Sequence, residues 1–137
     1  MDRIGVLSAH NLFTYDGALG IIFGVAFLAL APQLLGFYGI GVSTGSVLMT
    51  HLLAGFLLAA GITQLRARAA ADSAAGRSIT LGFLATNVVG AIISATAVAS
   101  GAANLFALGF VGLFLVEASW RAYLTLRVYR PGLAQGA

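Results

Sequence analysis

Residues 78–100 read SITLGFLATNVVGAIISATAVAS and contain no charged side chain. A helix of about 20 residues crosses the ~30 Å hydrocarbon core of a bilayer, so this stretch predicts a transmembrane helix. Its apolar residues are continuous rather than alternating, which favours a helix over a strand of a membrane barrel. A helix also satisfies every backbone N–H and C=O within the segment, as hydrocarbon requires.

Three further stretches have the same character. Together the four stretches predict transmembrane helices at about 12–31, 46–65, 78–100 and 104–124, within a single domain that spans residues 1–137. We therefore predict an all-α integral membrane protein, folded as an antiparallel bundle of four transmembrane helices.

The composition supports a lipid solvent. Of 137 residues, 60% are hydrophobic and 8% are charged, whereas a soluble domain is roughly a quarter charged. The absence of cysteine excludes disulfides and thiolate chemistry. The positively charged residues are dispersed among helix ends and loops and form no basic patch, so we expect the lipid bilayer, and no nucleic acid, as the surroundings.

The distribution of arginine predicts the orientation. In a four-span topology both termini and the second connection share one side of the membrane. That side carries all seven arginines, which are Arg3, Arg66, Arg68, Arg77, Arg121, Arg127 and Arg130. Positive charge marks the cytoplasmic face, so we expect a bacterial inner-membrane protein with both termini in the cytoplasm. The first connection is apolar, and Pro32 predicts a short helix that begins there.

Small residues predict where the helices pack, because close backbone approach replaces hydrophobic burial as the basis of helix association in lipid. Each predicted span has a set of them: Gly17, Gly20 and Gly24; Gly55 and Ala59; Gly90, Ala91, Ser94, Ala95 and Ala99; Gly109 and Gly112. They indicate packing within the bundle or, for the third helix above all, a face that binds another subunit.

Glu117 and Arg121 are one helical turn apart in the fourth span. Their acid-then-base order favours an ion pair within the helix, which would keep an otherwise costly charge neutralised near the membrane boundary. Two alternatives remain open. Glu117 is protonated and bonded to another helix, or it takes part in transport or catalysis.

A polar layer surrounds this pair in the predicted topology. Asp16 is placed near the positive end of the first helix dipole, or it faces Arg121 across the bundle. His10 shares the layer, together with Asn11, Tyr15 and Gln64. The spacing of Asp16, Glu117 and His10 matches no metal motif, so we predict no metal site.

Two further polar residues lie deeper in the predicted spans. Asn87, near the middle of the third span, predicts a hydrogen bond across helices or a contact with a ligand. His51 predicts hydrogen bonding within the bundle, with ligation of a pigment as the alternative. His10 lies on the opposite side of the membrane in this topology, so the two histidines are not expected to bind a haem together.

The first two spans carry a resemblance. Residues 17–40 read GALGIIFGVAFLALAPQLLGFYGI, and residues 51–68 read HLLAGFLLAAGITQLRAR. This pattern, with a glycine-punctuated helix that ends in Ala-Pro and a second helix that closes in basic residues, resembles a family of uncharacterised small four-span proteins of the bacterial inner membrane. The resemblance implies the four-span topology and no activity.

The predicted function depends on which known motifs the sequence contains. No catalytic or nucleotide-binding motif is present, so we predict a non-enzymatic accessory subunit of a larger inner-membrane complex, with other membrane subunits or further copies of the chain as partners. One alternative is a binder or carrier of a lipophilic small molecule, a pigment or a quinone. Another is a proton-coupled transporter that uses Glu117. We expect no cofactor. A bound pigment, haem or quinone is expected only under the first alternative, the binder or carrier.

Overall fold

The computed structural model describes residues 8–127. They form five α-helices: α1 Ala9–Ala29, α2 Ala31–Phe37, α3 Thr44–Ala67, α4 Ala74–Ala99 and α5 Leu108–Arg127. Single 3-10 turns at Arg68–Ala70 and Leu105–Ala107 complete the described elements. Four helices are long and apolar enough to cross a membrane, which confirms the all-helical prediction. Arg3 and Arg130, on which the predicted orientation partly rests, lie outside the described residues.

Serine side chains fix where three of the helices begin. Ser8, Ser43 and Ser73 have extended backbones, and each side chain accepts a hydrogen bond from the amide three residues on. A helix N-terminus leaves amide groups without a partner, and such caps satisfy one of them. As a result α1 begins at Ala9, so Asp16 lies two turns inside it. The predicted interaction of Asp16 with the start of the helix is therefore wrong.

The predicted short helix after the first span is α2. It begins next to Pro32, whose missing N–H is not needed in the first turn. The chain then turns at Gly39, which has a φ of 72°, a conformation that glycine adopts without strain. Asn104 joins this turn to the start of α5. Its side-chain amide donates to the carbonyl of Phe37 at 2.7 Å, and its backbone amide donates to that of Tyr38 at 2.8 Å.

The helices associate chiefly in two pairs, α1 with α3 and α4 with α5. The predicted glycines of α1 do mediate packing, but their partners on α3 are Gly61 and Ala54. Gly55, which was predicted for this role, has no neighbour within 4 Å of where a Cβ would stand, and Ala59 is exposed. The 3.6-residue period of the α-helix explains why Gly61 packs against α1 and Gly55 does not, because Gly55 lies on another face of α3.

In the second helix pair, α4 with α5, Gly90 of α4 lies against the ring of Phe114. Gly109 and Gly112 of α5 contact no described residue in this way, so their predicted role in packing within the chain is wrong. Ala91 is buried, whereas Ala95 and Ala99 are exposed. The small residues of the third span are therefore divided between the interior and the outer surface.

The outer surface of the bundle is apolar and its interior holds polar groups. Met49, Ile93 and Val116 are each more than half exposed, as are many other large apolar side chains. The buried polar side chains are Asp16, Gln64, Thr80, Asn87, Glu117 and Arg121. Water would favour the reverse distribution, so this surface suits a hydrocarbon solvent.

Candidate functional site: a central cavity with a polar end

A cavity of about 450 Å³ lies between the helices, and all five contribute to its lining. Its walls are mostly apolar, with leucine side chains such as Leu19, Leu57 and Leu113. This volume is within the range of small-molecule sites, which are typically 300–1,000 Å³. The helices thus leave between them a space large enough for an organic ligand.

Aromatic rings form much of one wall. Phe110 of α5 is central to them, because its ring centroid lies 6.1 Å from that of Phe23, 6.4 Å from that of Phe27 and 5.0 Å from that of Tyr38. Phe114 continues the series one turn along α5, at 6.4 Å from Phe110. Such rings present flat apolar faces, and the side chains have little freedom to rearrange.

The end of the cavity near α2 has no charged side chain among the described lining residues. Tyr38, Ile40 and Ala103 line it, and the hydrogen bonds of Asn104 hold the two loops together there. Among the described residues that line the cavity, the charged ones all lie at the other end. We call that other end the polar end.

Arg121 occupies the polar end and is completely buried. Its guanidinium forms an ion pair with Asp16 of α1 and donates a hydrogen bond of 2.9 Å to the side-chain carbonyl of Gln64 on α3. Its Cζ also lies 4.9 Å from the centre of the Phe83 ring on α4, a cation–π distance. One side chain of α5 thereby contacts each of the other three long helices.

Glu117 lies one turn from Arg121 and also lines the cavity. Its carboxylate accepts a hydrogen bond of 3.1 Å from the side-chain amide of Asn87, and both side chains are buried. The predicted ion pair within α5 is therefore corrected, since the structure gives Arg121 to Asp16 and Glu117 to Asn87. The cause is tertiary, because packing of α1 against α5 supplies a second carboxylate from the facing helix.

The structure thus gathers four of the predicted site residues in one place: Asp16, Asn87, Glu117 and Arg121. The alternative placement of Asp16, facing Arg121, is confirmed, and so is a cross-helix hydrogen bond of Asn87. Gln64 is part of the cluster. Sequence reasoning missed Phe83, although its position four residues before Asn87 puts both on one face of α4.

The two histidines lie elsewhere. His10 is exposed, and its Nδ1 donates to the backbone carbonyl of Arg68 at 3.2 Å, so it does not join Asp16. His51 is exposed on α3 and does not line the cavity. Its predicted hydrogen bond within the bundle is not formed with any described residue. Within residues 8–127 no three His, Asp or Glu side chains are placed to hold a metal ion.

The arrangement can hold an amphipathic molecule. The apolar walls suit a hydrocarbon or aromatic body, and the polar end offers amide and carboxylate groups to a head group. A scan against protein-family models, a search of curated proteins and a search of solved structures each find no match for this chain.

Proposed function

We propose that this protein binds a lipophilic small molecule in its central cavity, with the head group of the molecule at the polar end. The observation that carries the proposal is the cavity of about 450 Å³, apolar along its walls and polar at one end. A pocket of this kind, with a few convergent polar groups, is the usual form of a ligand site. In this proposal the protein is a binder or carrier and not an enzyme.

We place the protein in the bacterial inner membrane as an antiparallel bundle with both termini in the cytoplasm. Contacts support the antiparallel direction, because Gly17 of α1 meets Leu65 of α3, whereas Gly24 meets Leu58. The apolar outer surface supports the lipid environment. Arginines at the end of α3 and the start of α4 support the orientation, since basic residues favour the cytoplasmic side.

A fluorescent neutral naphthalene, added to the protein in uncharged detergent, tests the proposal. We expect one molecule bound per chain. Ala97→Trp should abolish this binding, because Ala97 lines the cavity. Ala95→Trp is the matched control, since Ala95 is exposed on the same helix and does not line the cavity. Lipid extraction and an absorbance spectrum of the untreated protein report a ligand that co-purifies. An unaltered chain that binds no naphthalene and carries no ligand would refute the proposal.

An accessory subunit remains the second proposal. Gly109 and Gly112 leave a flat face on α5 that no described residue of this chain covers, and small residues of this kind permit a second helix to approach closely. Native mass measurement after gentle extraction tests this proposal. A partner subunit or a further copy of the chain is expected, and a lone monomer after crosslinking would count against it.

Proton-coupled transport remains a proposal as well, and the contact of Glu117 with the cavity supports it. Glu117→Gln removes the exchangeable proton while keeping a group that can bond to Asn87. Flux in liposomes should then stop while folding is preserved. Flux equal to that of the unaltered protein would remove Glu117 from any transport mechanism.

A further inference from the structure

We propose that the ligand of the central cavity is a lipophilic organic monocation whose positive charge lies against the carboxylate of Glu117. This inference rests on the proposed function and names the chemical class of its ligand. It follows from the charges at the polar end, the rings along the walls and the way in which Glu117 is bonded.

The charges at the polar end do not balance. Three charged side chains line the cavity, namely the two acids Asp16 and Glu117 and the base Arg121. Of the other charged side chains that the structure describes, Arg66, Arg68, Asp72 and Arg77, none lines it. With both acids ionised, the described lining residues therefore carry a net charge of one negative unit.

Both acids are buried and line the cavity, so their partners distinguish them. The carboxylate of Asp16 forms its ion pair with Arg121 and is almost completely buried. Glu117 instead accepts from Asn87, a neutral amide, through one of its two oxygens. An amide donor supports a carboxylate but does not cancel its charge. A monocation in the cavity would cancel it, whereas an anion would face two carboxylates and a neutral molecule would leave the charge in place.

The walls are also suited to a cation. Aromatic faces attract positive charge, and the molecule already uses this interaction between Arg121 and Phe83. Phe110, Phe114 and Phe23 offer further rings to the body of the ligand. A cation with an aromatic or branched apolar body would thus fill the cavity and place its charge at the polar end.

A proton and the cation are alternative ways to neutralise Glu117 in apolar surroundings. When the cation binds to the protonated site, the carboxyl O–H bond breaks, the proton leaves to water and an ion pair forms. Among the described residues, the titratable and charged groups that share the cavity with Glu117 are Asp16 on α1, Tyr38 after α2 and Arg121 on α5. The described lining residues of α3 and α4 are uncharged. Binding should therefore release up to one proton per cation and strengthen as pH rises.

Two matched probes test this inference on the complete chain in uncharged detergent. One is 1-naphthylmethyl-trimethylammonium, whose charge is permanent, and the other is its neutral isostere with carbon in place of the quaternary nitrogen. We expect the cation to bind at least about thirtyfold more tightly than the isostere, as for a buried charge pair that loses one member. Because the cation cannot titrate, any pH dependence belongs to the protein.

Variants assign the effect to one carboxylate. Glu117→Gln should bring the affinity for the cation down to that for the isostere and remove the pH dependence. Retained binding of the isostere shows that this variant is folded. Asp72→Asn is the control, because Asp72 is exposed and lies outside the cavity, and it should behave as the unaltered chain does.

The outcomes separate this inference from the proposed function. If the isostere binds one molecule per chain and the cation binds no more tightly, the inference is overturned and the binding function stands. A preference for the cation that survives in Glu117→Gln, or that does not change with pH, also overturns it. If neither probe binds, this inference is overturned, and the proposed function is refuted with it when the unaltered chain also carries no co-purifying ligand.

Discussion

Replacement of Gly61 by alanine should separate the two helices that pack most closely. A Cβ at this position would lie 2.7 Å from the carbonyl oxygen of Gly17 and 2.9 Å from the backbone nitrogen of Ile21. Both atoms belong to the backbone of α1, so no side-chain rotation can relieve the overlap. The helices would have to move apart, and the contacts of Gly20 along the same seam would weaken with them.

The expected loss is about 2 kcal/mol, within the 1–3 kcal/mol that added methyl groups typically cost in well-packed interiors. The higher helix propensity of alanine, worth up to about 1 kcal/mol in water, offsets little of it. Helices in a membrane remain helical when they dissociate, so that gain is largely shared by both states. About 2 kcal/mol corresponds to a roughly thirtyfold change in the ratio of folded to unfolded protein.

Trp120 provides the assay, because it is the one tryptophan of the chain and its ring centroid lies 6.2 Å from that of Tyr15 on α1. Separation of α1 from the bundle should change its emission during unfolding by sodium dodecyl sulfate. Gly55→Ala, on the same helix, is the control, since a Cβ at Gly55 would meet nothing within 4 Å. Equal stability of Gly61→Ala and Gly55→Ala would refute the packing argument.

Three further substitutions can be followed by the same unfolding assay. Arg121→Met leaves the Asp16 carboxylate buried without its ion pair, and should lower the free energy of unfolding by about 3–5 kcal/mol. The double variant with Asp16→Asn should recover most of this loss. A double variant as unstable as Arg121→Met alone would contradict the pairing. Asn87→Leu removes the hydrogen bond between α4 and α5 and should cost about 1–3 kcal/mol; no loss would show that this bond adds nothing. Asn104→Ala removes the side-chain bond to Phe37 and should cost about 1 kcal/mol, while an unchanged midpoint would mean that the loops are held by other contacts.

The helices themselves could be predicted because their causes are local. A run such as residues 78–100 is apolar on every side, and its backbone groups find partners within the segment. Serine caps and the proline in the first turn of α2 are also local, so that short helix could be placed from Pro32 alone. The boundaries differ from the apolar runs, because α1 begins at Ala9, the residue after the Ser8 cap, rather than at about residue 12.

The site could be predicted only in part. The sequence indicated which residues were unusual, including Asp16, Asn87 and Glu117, because polar side chains in apolar spans are costly and few. It could not give their partners. Spacing along one helix favoured Glu117 with Arg121, whereas the fold places Asp16 against that guanidinium.

The sequence by itself determined which segments suit a lipid solvent and how many long helices form. It could do so because hydropathy, capping and backbone hydrogen bonding act over a few residues. Only the tertiary structure decided which faces meet. Gly61 rather than Gly55 contacts α1, and Asn87 rather than Arg121 bonds to Glu117. The cavity has the same origin, since it is the space left between two helix pairs, and its volume depends on contacts between residues far apart in the chain.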